Sequence, residues 1–182
     1  MTIRYRFLLL IFFIALSCGN SSIYAQESSS NSTDDYYWGD FGIGGAWVHE
    51  GIGSPPDKSG FSMGLGLYYK KENELYSLRI TGTVEPRMHM WGNQPDESIT
   101  ECGVLYGRAT KASYGVASVS GGISIVVASL YTSFTTVGIP LEAQLILTPT
   151  KIFGIGFKGF ANLNPQKSFG GLLFCLQIGK LR

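Results

Sequence analysis

Apolar and polar residues alternate with a period of two along most of the chain beyond residue 36. In the stretch 37–48, Phe41 and Trp47 fall on one face and Asp40 falls on the other. Successive side chains leave opposite faces of a β-strand, so this period predicts two-faced strands. The alternation is weakest in the fourth strand of the series. The pattern predicts eight strands, at residues 37–48, 61–70, 75–84, 101–107, 118–127, 136–147, 153–163 and 171–179.

The composition of the two faces favours a membrane barrel. No window has a sustained helical period, so helical crossovers and a parallel sheet are not expected. The polar faces carry mainly Gly, Ser and Thr with single charges, which suits the narrow lumen of a small barrel. The sequence therefore predicts an all-β, eight-stranded, antiparallel up-and-down transmembrane β-barrel, with Tyr and Trp near the strand ends at the membrane interfaces. The predicted lipid-facing residues are Phe41, Trp47, Met63, Leu67, Ile80, Leu145 and Phe174.

A water-soluble barrel is the alternative interpretation of the same alternation. A soluble or lipid-anchored periplasmic barrel of lipocalin type would turn the large apolar residues inward around an apolar ligand. Connection lengths favour the membrane barrel, because short periplasmic turns alternate with longer outer loops in that class. The predicted short turns are at 71–73, 110–113 and 148–150, and the predicted long outer loops are at 50–60 and 86–98. Two connections of intermediate length, 129–133 and 164–168, fall on the outer side.

Pro140 lies inside the sixth predicted strand. Proline cannot donate a hydrogen bond to the ladder, and a closed barrel has no free edge strand to hold it. The sequence therefore predicts a β-bulge at this point, which the neighbouring Gly138 would allow.

The amino-terminal residues have the layout of a secretory signal peptide. Arg4 and Arg6 precede an apolar run over residues 7–16, and a polar stretch follows as far as Ala25. The run is well short of the roughly 20 apolar residues that a transmembrane helix needs. Cleavage just before Cys18 would instead make that residue the lipidated start of a lipoprotein. The predicted division is a signal peptide at 1–25, a flexible tether at 26–35 and the barrel at 36–182.

Two cysteines, Cys102 and Cys175, remain after the predicted signal peptide. An oxidising envelope compartment would permit one disulfide between them. The period of two places the two side chains on opposite faces of the sheet. Two unpaired thiols are therefore expected.

Charge and glycine content narrow the functional classes. The chain has 14 Lys and Arg against 13 Asp and Glu, which gives neither a basic face for nucleic acid nor an acidic tail. Gly42 and Gly44 resemble a phosphate-binding loop only in composition, because they lie within a strand and no helix follows them. No cofactor and no nucleic-acid partner are predicted.

Four segments carry a resemblance to a known family. They are Leu105-Tyr106-Gly107-Arg108, Val137-Gly138-Ile139-Pro140-Leu141-Glu142, the stretch 154–164 and the closing Ile178-Gly179-Lys180-Leu181-Arg182. In these segments the chain resembles the small outer-membrane β-barrel proteins of Bacteroidetes-like bacteria. The resemblance implies an outer-membrane location, with the lipid bilayer and the outer-membrane insertion machinery as partners. It implies no catalytic chemistry.

Charged residues on the predicted inward faces are candidates for a network in the lumen. Buried charges must be paired, so salt bridges within the barrel are expected. The candidates are Asp40, Arg79, Glu142 and Lys158, with Arg108 as a further possibility. The predicted role of this network is structural.

Both histidines of the chain fall in predicted outer loops, where His49, His89 and Trp91 could contact a partner. With Glu50 the histidines could bind a metal, or with a loop serine they could form a site that hydrolyses lipid. No ligand spacing or nucleophile motif supports either, so no metal and no enzymatic activity are predicted. The leading hypothesis is a structural, adhesive or binding barrel of the outer membrane. The alternatives are a soluble carrier of an apolar ligand and a barrel enzyme acting on membrane lipid.

Overall fold

The computed structural model describes residues 35–49, 58–85, 97–129 and 133–181. The predicted signal peptide, the tether up to residue 34, Cys18, His89 and Trp91 lie outside the described residues. Within the described part of the chain, no helix is long and apolar enough to cross a membrane.

Eight antiparallel strands form one closed barrel. Each strand pairs with the next one in the sequence, and β8 pairs with β1 to complete the ring. The predicted all-β, eight-stranded, up-and-down fold is therefore confirmed. The strands are β1 (Tyr36–His49), β2 (Lys58–Lys71), β3 (Glu74–Glu85), β4 (Glu97–Ala112), β5 (Gly115–Ser129), β6 (Phe134–Leu147), β7 (Phe153–Leu163) and β8 (Ser168–Lys180).

Several strands extend beyond the ends that the side-chain pattern predicts. β2 begins earlier, at Lys58, and β4 covers Glu97–Ala112 where the pattern indicates only 101–107. The ladder between β4 and β5 continues as far as Ala112 opposite Gly115. Backbone hydrogen bonds do not require alternating side chains, so strand ends rich in polar residues leave no mark in the hydrophobic pattern.

Pro140 is accommodated by a gap in the ladder between β5 and β6. Gly121 of β5 pairs with Leu141 of β6 on one side of the gap. On the other side Ser124 pairs with Gly138, and the two strands have the same number of residues between these contacts. A bulge would add a residue to one strand, so the predicted bulge is wrong. The missing N–H is tolerated because β5 and β6 do not pair there, while Pro140 stays paired with β7.

The two ends of the barrel differ in the length of their connections. Short turns at 72–73, 113–114 and 148–152 lie at the end that we call the short-turn end. The connections 50–57, 86–96, 130–133 and 164–167 lie at the opposite end, the long-loop end. β1 begins and β8 ends at the short-turn end. The two longest connections, 50–57 and 86–96, both lie at the long-loop end, as predicted, whereas 148–152 at the short-turn end is no shorter than 130–133 or 164–167.

Large apolar side chains point away from the barrel axis on all eight strands. The seven residues predicted to contact lipid are exposed, from 40% for Phe41 to 66% for Leu145. Residues of the opposite parity, such as Ser62, Thr81 and Ser120, point into the lumen and are buried. This arrangement is the inverse of a water-soluble barrel, in which the apolar faces point inward.

Side chains fill the lumen in three layers, because an eight-stranded barrel has room inside for little else. The long-loop cluster is an apolar group comprising Ala46, Ile99, Val126, Ala128, Phe160, Phe169, Leu173 and Cys175. The short-turn cluster is a second apolar group comprising Trp38, Tyr68, Leu75, Ala109, Val116, Ile146 and Leu181. The charged layer lies between them and comprises Asp40, Arg79, Glu101, Glu142 and Lys158, none of them more than 5% exposed.

The chain turns inward after β8 and closes the short-turn end. Gly179 has a φ of +153°, and a Cβ added there would lie 2.6 Å from the Cα of Trp38. The N–H of Gly179 donates to the carbonyl of Ile152 at 3.0 Å, and that of Leu181 donates to Lys151 at 2.9 Å. These bonds hold the side chain of Leu181 inside the short-turn cluster, where it is 2% exposed.

Gly179→Ala should destabilise the barrel by about 1–3 kcal/mol, because only glycine adopts this backbone conformation without strain. The measurement is the free energy of unfolding in urea, with the barrel folded into lipid vesicles. Gly82→Ala is the matched control, since a Cβ at Gly82 would meet nothing within 4 Å. The control should stay within about 0.5 kcal/mol of the parent. Equal losses in the two variants would contradict the role assigned to Gly179.

Candidate functional site

Arg79 of β3 is the centre of the charged layer. Its Nη2 donates to both carboxylate oxygens of Glu101, at 2.7 and 2.8 Å. Its Nη1 lies 3.3 Å from Oε2 of Glu142 and 3.4 Å from the carbonyl of Leu141. The guanidinium also lies 5.6 Å from the centre of the Phe160 ring. A single cation therefore bridges β4 and β6 through the lumen.

Lys158 of β7 forms the second ion pair of the layer. Its Nζ lies 2.5 Å from Oδ2 of Asp40 in β1, and both side chains are almost completely buried. The same ammonium lies 5.4 Å from the centre of the Tyr68 ring, a distance at which the ring quadrupole attracts a cation. The pair joins two strands that are not neighbours in the sheet.

Neutral side chains donate to the buried carboxylates. Tyr68 Oη and Gln144 Nε2 both donate to Oε1 of Glu142, at 3.0 and 2.7 Å. Asn162 Nδ2 donates to Oε1 of Glu101 at 2.8 Å. Hydrogen bonds of this kind are needed in a lumen closed to water, because a buried carboxylate without them is strongly destabilising.

Gly138 provides the space that Asn162 occupies. A Cβ added to Gly138 would lie 2.7 Å from Nδ2 and 2.8 Å from Cγ of Asn162. The amide in this position also donates to Oγ of Ser124 at 2.7 Å and accepts a bond from Asn164 Nδ2 at 3.1 Å. The glycine that the sequence links to a bulge therefore serves close packing in the lumen.

The structure places the four predicted lumen residues, Asp40, Arg79, Glu142 and Lys158, in one layer. Arg108 is different: its side chain is exposed, because its parity on β4 points it outward. Glu101, the strongest partner of Arg79, is missing from the predicted network because the alternation in the fourth strand is weak. Its position diagonal to Arg79 across the β3–β4 pair could have identified it.

The charged layer has more negative than positive groups. The three carboxylates of Asp40, Glu101 and Glu142 face the two cations of Arg79 and Lys158. We assign the excess negative charge to Glu142, because its carboxylate lies 3.3 Å from Arg79 whereas that of Glu101 lies 2.7 Å away. An apolar cluster lies on each side of the layer, and hydrogen bonds extend past both: Tyr68 donates to Glu142, and Asn162 and Asn164 join Glu101 to the connection 164–167.

The remaining candidate residues lie apart from this layer. His49 ends β1 at the long-loop end. Cys102 is exposed and Cys175 is buried, and neither forms a disulfide, so the two predicted unpaired thiols are confirmed. Among the residues that the structure describes, no three His, Cys, Asp or Glu side chains are grouped closely enough to hold a metal ion.

Three tyrosines on adjacent strands form a belt outside the short-turn end. The ring centres of Tyr69 and Tyr76 are 6.4 Å apart, and those of Tyr76 and Tyr106 are 5.3 Å apart. Tyr69 donates to Asp35 at 2.9 Å, while Tyr76 and Tyr106 donate to Glu74 at 2.8 and 3.2 Å. We call these three residues the tyrosine belt. Rings with hydroxyl groups at one edge of an apolar band are typical of a membrane interface.

The closed barrel, the apolar exterior and a lumen filled by side chains with buried charges define the fold of the small outer-membrane β-barrels. Neisserial surface protein A has this fold, with a TM-score of 0.58 and 12% sequence identity over 78% of this chain and 96% of that one. Ail, the attachment invasion locus protein of Yersinia pestis, has a TM-score of 0.58 and 15% identity over 80% of this chain and 98% of that one.

A second structure of Ail, in complex with the heparin analogue sucrose octasulfate, has a TM-score of 0.55 and 14% identity over 80% of this chain and 98% of that one. No protein-family model and no curated protein sequence matches the chain. At these identities the likeness shows a shared fold. The resemblance seen in the sequence is thus confirmed at the level of small eight-stranded barrels of the outer-membrane type.

Glu101→Gln should destabilise the barrel by about 3–5 kcal/mol, because it leaves the buried Arg79 without its main counter-charge. Glu142→Gln should change stability by less than about 1 kcal/mol, since the amide oxygen can still accept from Tyr68 and Gln144 while the excess charge is removed. Urea unfolding of the two isosteric variants in lipid vesicles measures the difference. Equal losses, or a larger loss for Glu142→Gln, would contradict this description of the charge balance.

Proposed function

We propose that the protein is an exported outer-membrane β-barrel with a structural, adhesive or binding role and without enzymatic activity. The observation that carries the proposal is the apolar outer surface, to which each strand contributes. Soluble monomers rarely expose a contiguous apolar patch larger than about 300–600 Å², so this surface is suited to lipid. Representative exposed residues, one from each strand in order, are Phe41, Leu67, Ile80, Val104, Ile123, Leu145, Phe157 and Phe174.

The lipocalin-like alternative is not favoured. A carrier of an apolar ligand would need its large apolar faces turned toward a cavity. Here the middle of the lumen contains the charged layer, and buried hydroxyl groups such as those of Ser62, Thr81 and Ser120 line the wall. Apart from Leu105, the buried apolar residues of the core belong to the two clusters, where they pack against one another.

The proposed location requires export across the inner membrane and insertion into the outer membrane. Residues 1–25 would direct secretion, and the insertion machinery of the outer membrane would then place the barrel, starting near residue 36, in the bilayer. Cleavage before Cys18 would add a lipid anchor to the same barrel. The segments that resemble small barrels of Bacteroidetes-like bacteria support an origin in such an envelope. In this orientation the short-turn end faces the periplasm and the long-loop end faces outward.

Binding through the long-loop end is the role that the proposal favours. The charged layer is structural, because it is buried between two apolar clusters and its cations are paired. The connections at 50–57 and 86–96 would supply the outer surface, where His49, His89 and Trp91 are the proposed contact residues. Ail, which shares the fold, is called an attachment invasion locus protein and has been solved with a heparin analogue.

Fractionation of cells expressing the full chain is the direct test. The protein should enter the outer-membrane fraction, and an unboiled sample should migrate differently from a boiled one, because intact barrels resist detergent. A soluble periplasmic protein without a heat-dependent shift would overturn the proposal and favour a carrier.

Ile123→Arg tests the proposed lipid contact at a single position. Ile123 is 69% exposed and lies near the middle of β5, so arginine there should destabilise a membrane barrel by about 2–4 kcal/mol. Ile152→Arg is the matched control, because Ile152 is equally exposed, at 69%, but lies in a turn at the short-turn end. The control should change stability by about 1 kcal/mol or less. In a water-soluble barrel neither substitution would be destabilising, and that result would contradict the lipid contact.

A further inference from the structure

Three lysine side chains gather around a single tyrosine ring at the short-turn end. The Nζ atoms of Lys111, Lys70 and Lys180 lie 4.1, 5.3 and 5.7 Å from the centre of the Tyr36 ring. Lys111 Nζ also donates a hydrogen bond to Tyr36 Oη at 2.7 Å. We call these four residues the lysine cluster.

The strands place the lysine cluster over the mouth of the barrel. Tyr36 and Lys70 are direct partners across the β1–β2 pair, and Lys180 ends β8 on the other side of β1. Lys111 comes from β4, which does not pair with β1, so its contact with Tyr36 crosses the opening. The tyrosine ring also packs against the short-turn cluster, which forms the floor beneath the ammonium groups.

The positive charges of Lys70 and Lys111 are not neutralised in the way that the lumen charges are. Among the described residues, no carboxylate forms an ion pair with Lys70 or Lys111. Lys70 is 6% exposed, and its ammonium donates to the backbone carbonyl of Glu72. By contrast, both cations of the charged layer lie against carboxylates.

Carboxylates are present at the same end but are engaged elsewhere. Asp35 and Glu74 accept hydrogen bonds from the tyrosine belt on the outer wall. Asp35 and Glu74 are therefore held at the lipid-facing rim, while the lysines converge on the mouth; Glu72, in the turn 72–73, is exposed. Like charges gathered around one ring repel one another, and an anion bound beside them would relieve that repulsion.

We propose that the lysine cluster is a binding site for a phosphate group, with the ammonium groups of Lys70, Lys111 and Lys180 around the anion and Tyr36 Oη as a further donor. Lysine binds phosphate as a mobile point charge with three N–H donors, which suits a tetrahedral oxyanion. The phosphate is either a soluble phosphate ester or the headgroup of an anionic phospholipid in the adjoining leaflet. The placement of the site toward the periplasm rests on the proposed function.

A ligand that binds only the folded barrel stabilises it against unfolding. Urea unfolding can therefore detect both a soluble phosphate and a lipid headgroup at the site. The full barrel is unfolded in urea in uncharged detergent micelles, with inorganic phosphate or with chloride at matched ionic strength. In parallel it is unfolded in phosphatidylcholine vesicles with and without phosphatidylglycerol. At a phosphate concentration ten times the dissociation constant, the unfolding equilibrium constant should fall about tenfold.

Lys111→Gln should abolish the response, whereas Lys71→Gln, at an exposed lysine of the same end outside the cluster, should retain it. A response to inorganic phosphate supports a soluble ester, and a response confined to phosphatidylglycerol supports a lipid headgroup. No response in either arm, or equal responses of Lys111→Gln and the parent, would overturn the proposal. If Lys111→Gln does not fold, Lys180→Gln serves in its place, and the same outcomes apply.

The micelle arm distinguishes failure of this site from failure of the proposed function. Inorganic phosphate would still stabilise the chain through the lysine cluster if the protein were not in the outer membrane. Loss of the heat-dependent gel shift overturns the location alone, and loss of the phosphate response overturns the site alone.

Discussion

Closure of β8 onto β1 is the constraint on which the rest of the structure depends. A bilayer offers no water to backbone N–H and C=O groups, so each must be bonded within the protein, and a closed sheet leaves no unpaired edge. With eight strands, closure also fixes a lumen wide enough only for side chains. Each strand must therefore present one face to lipid and the other to a packed interior. The period of two in the sequence follows directly from that requirement.

The charged layer has a consequence for strand register that an apolar lumen would lack. A shift of one residue moves every side chain of a strand to the opposite face. If both faces were apolar, such a slip would cost little. With Arg79 and Lys158 facing inward, the same slip would put a buried cation into the hydrocarbon, which is strongly unfavourable. The ion pairs therefore select one register out of several that the apolar residues alone would allow, in addition to any net stabilisation.

The sequence predicts the face on which each side chain lies, which depends on one strand alone. It does not predict the contacts that depend on how two strands are aligned. The facing of Arg79 and Lys158 follows from parity alone, and the structure agrees with it. The bond from Arg79 to Glu101 depends on how β3 and β4 are staggered, which no single strand reveals. Pro140 is a similar case: the strand containing it indicates a bulge, but the ladder to β5 is interrupted without an added residue. Strand ends such as Lys58 were also missed, since they depend on backbone pairing.

Neither face of the barrel wall offers a free surface for ligand binding. The outer face is committed to lipid and the inner face to packing, so recognition must come from the two ends. Those ends differ in chemistry, because the lysine cluster covers the mouth at the short-turn end while an apolar cluster closes the lumen at the long-loop end. Side chains fill the narrow lumen between them. The two ends can therefore carry different binding functions, while hydrogen bonds through Tyr68 at one end and through Asn162 and Asn164 at the other link both to the charged layer.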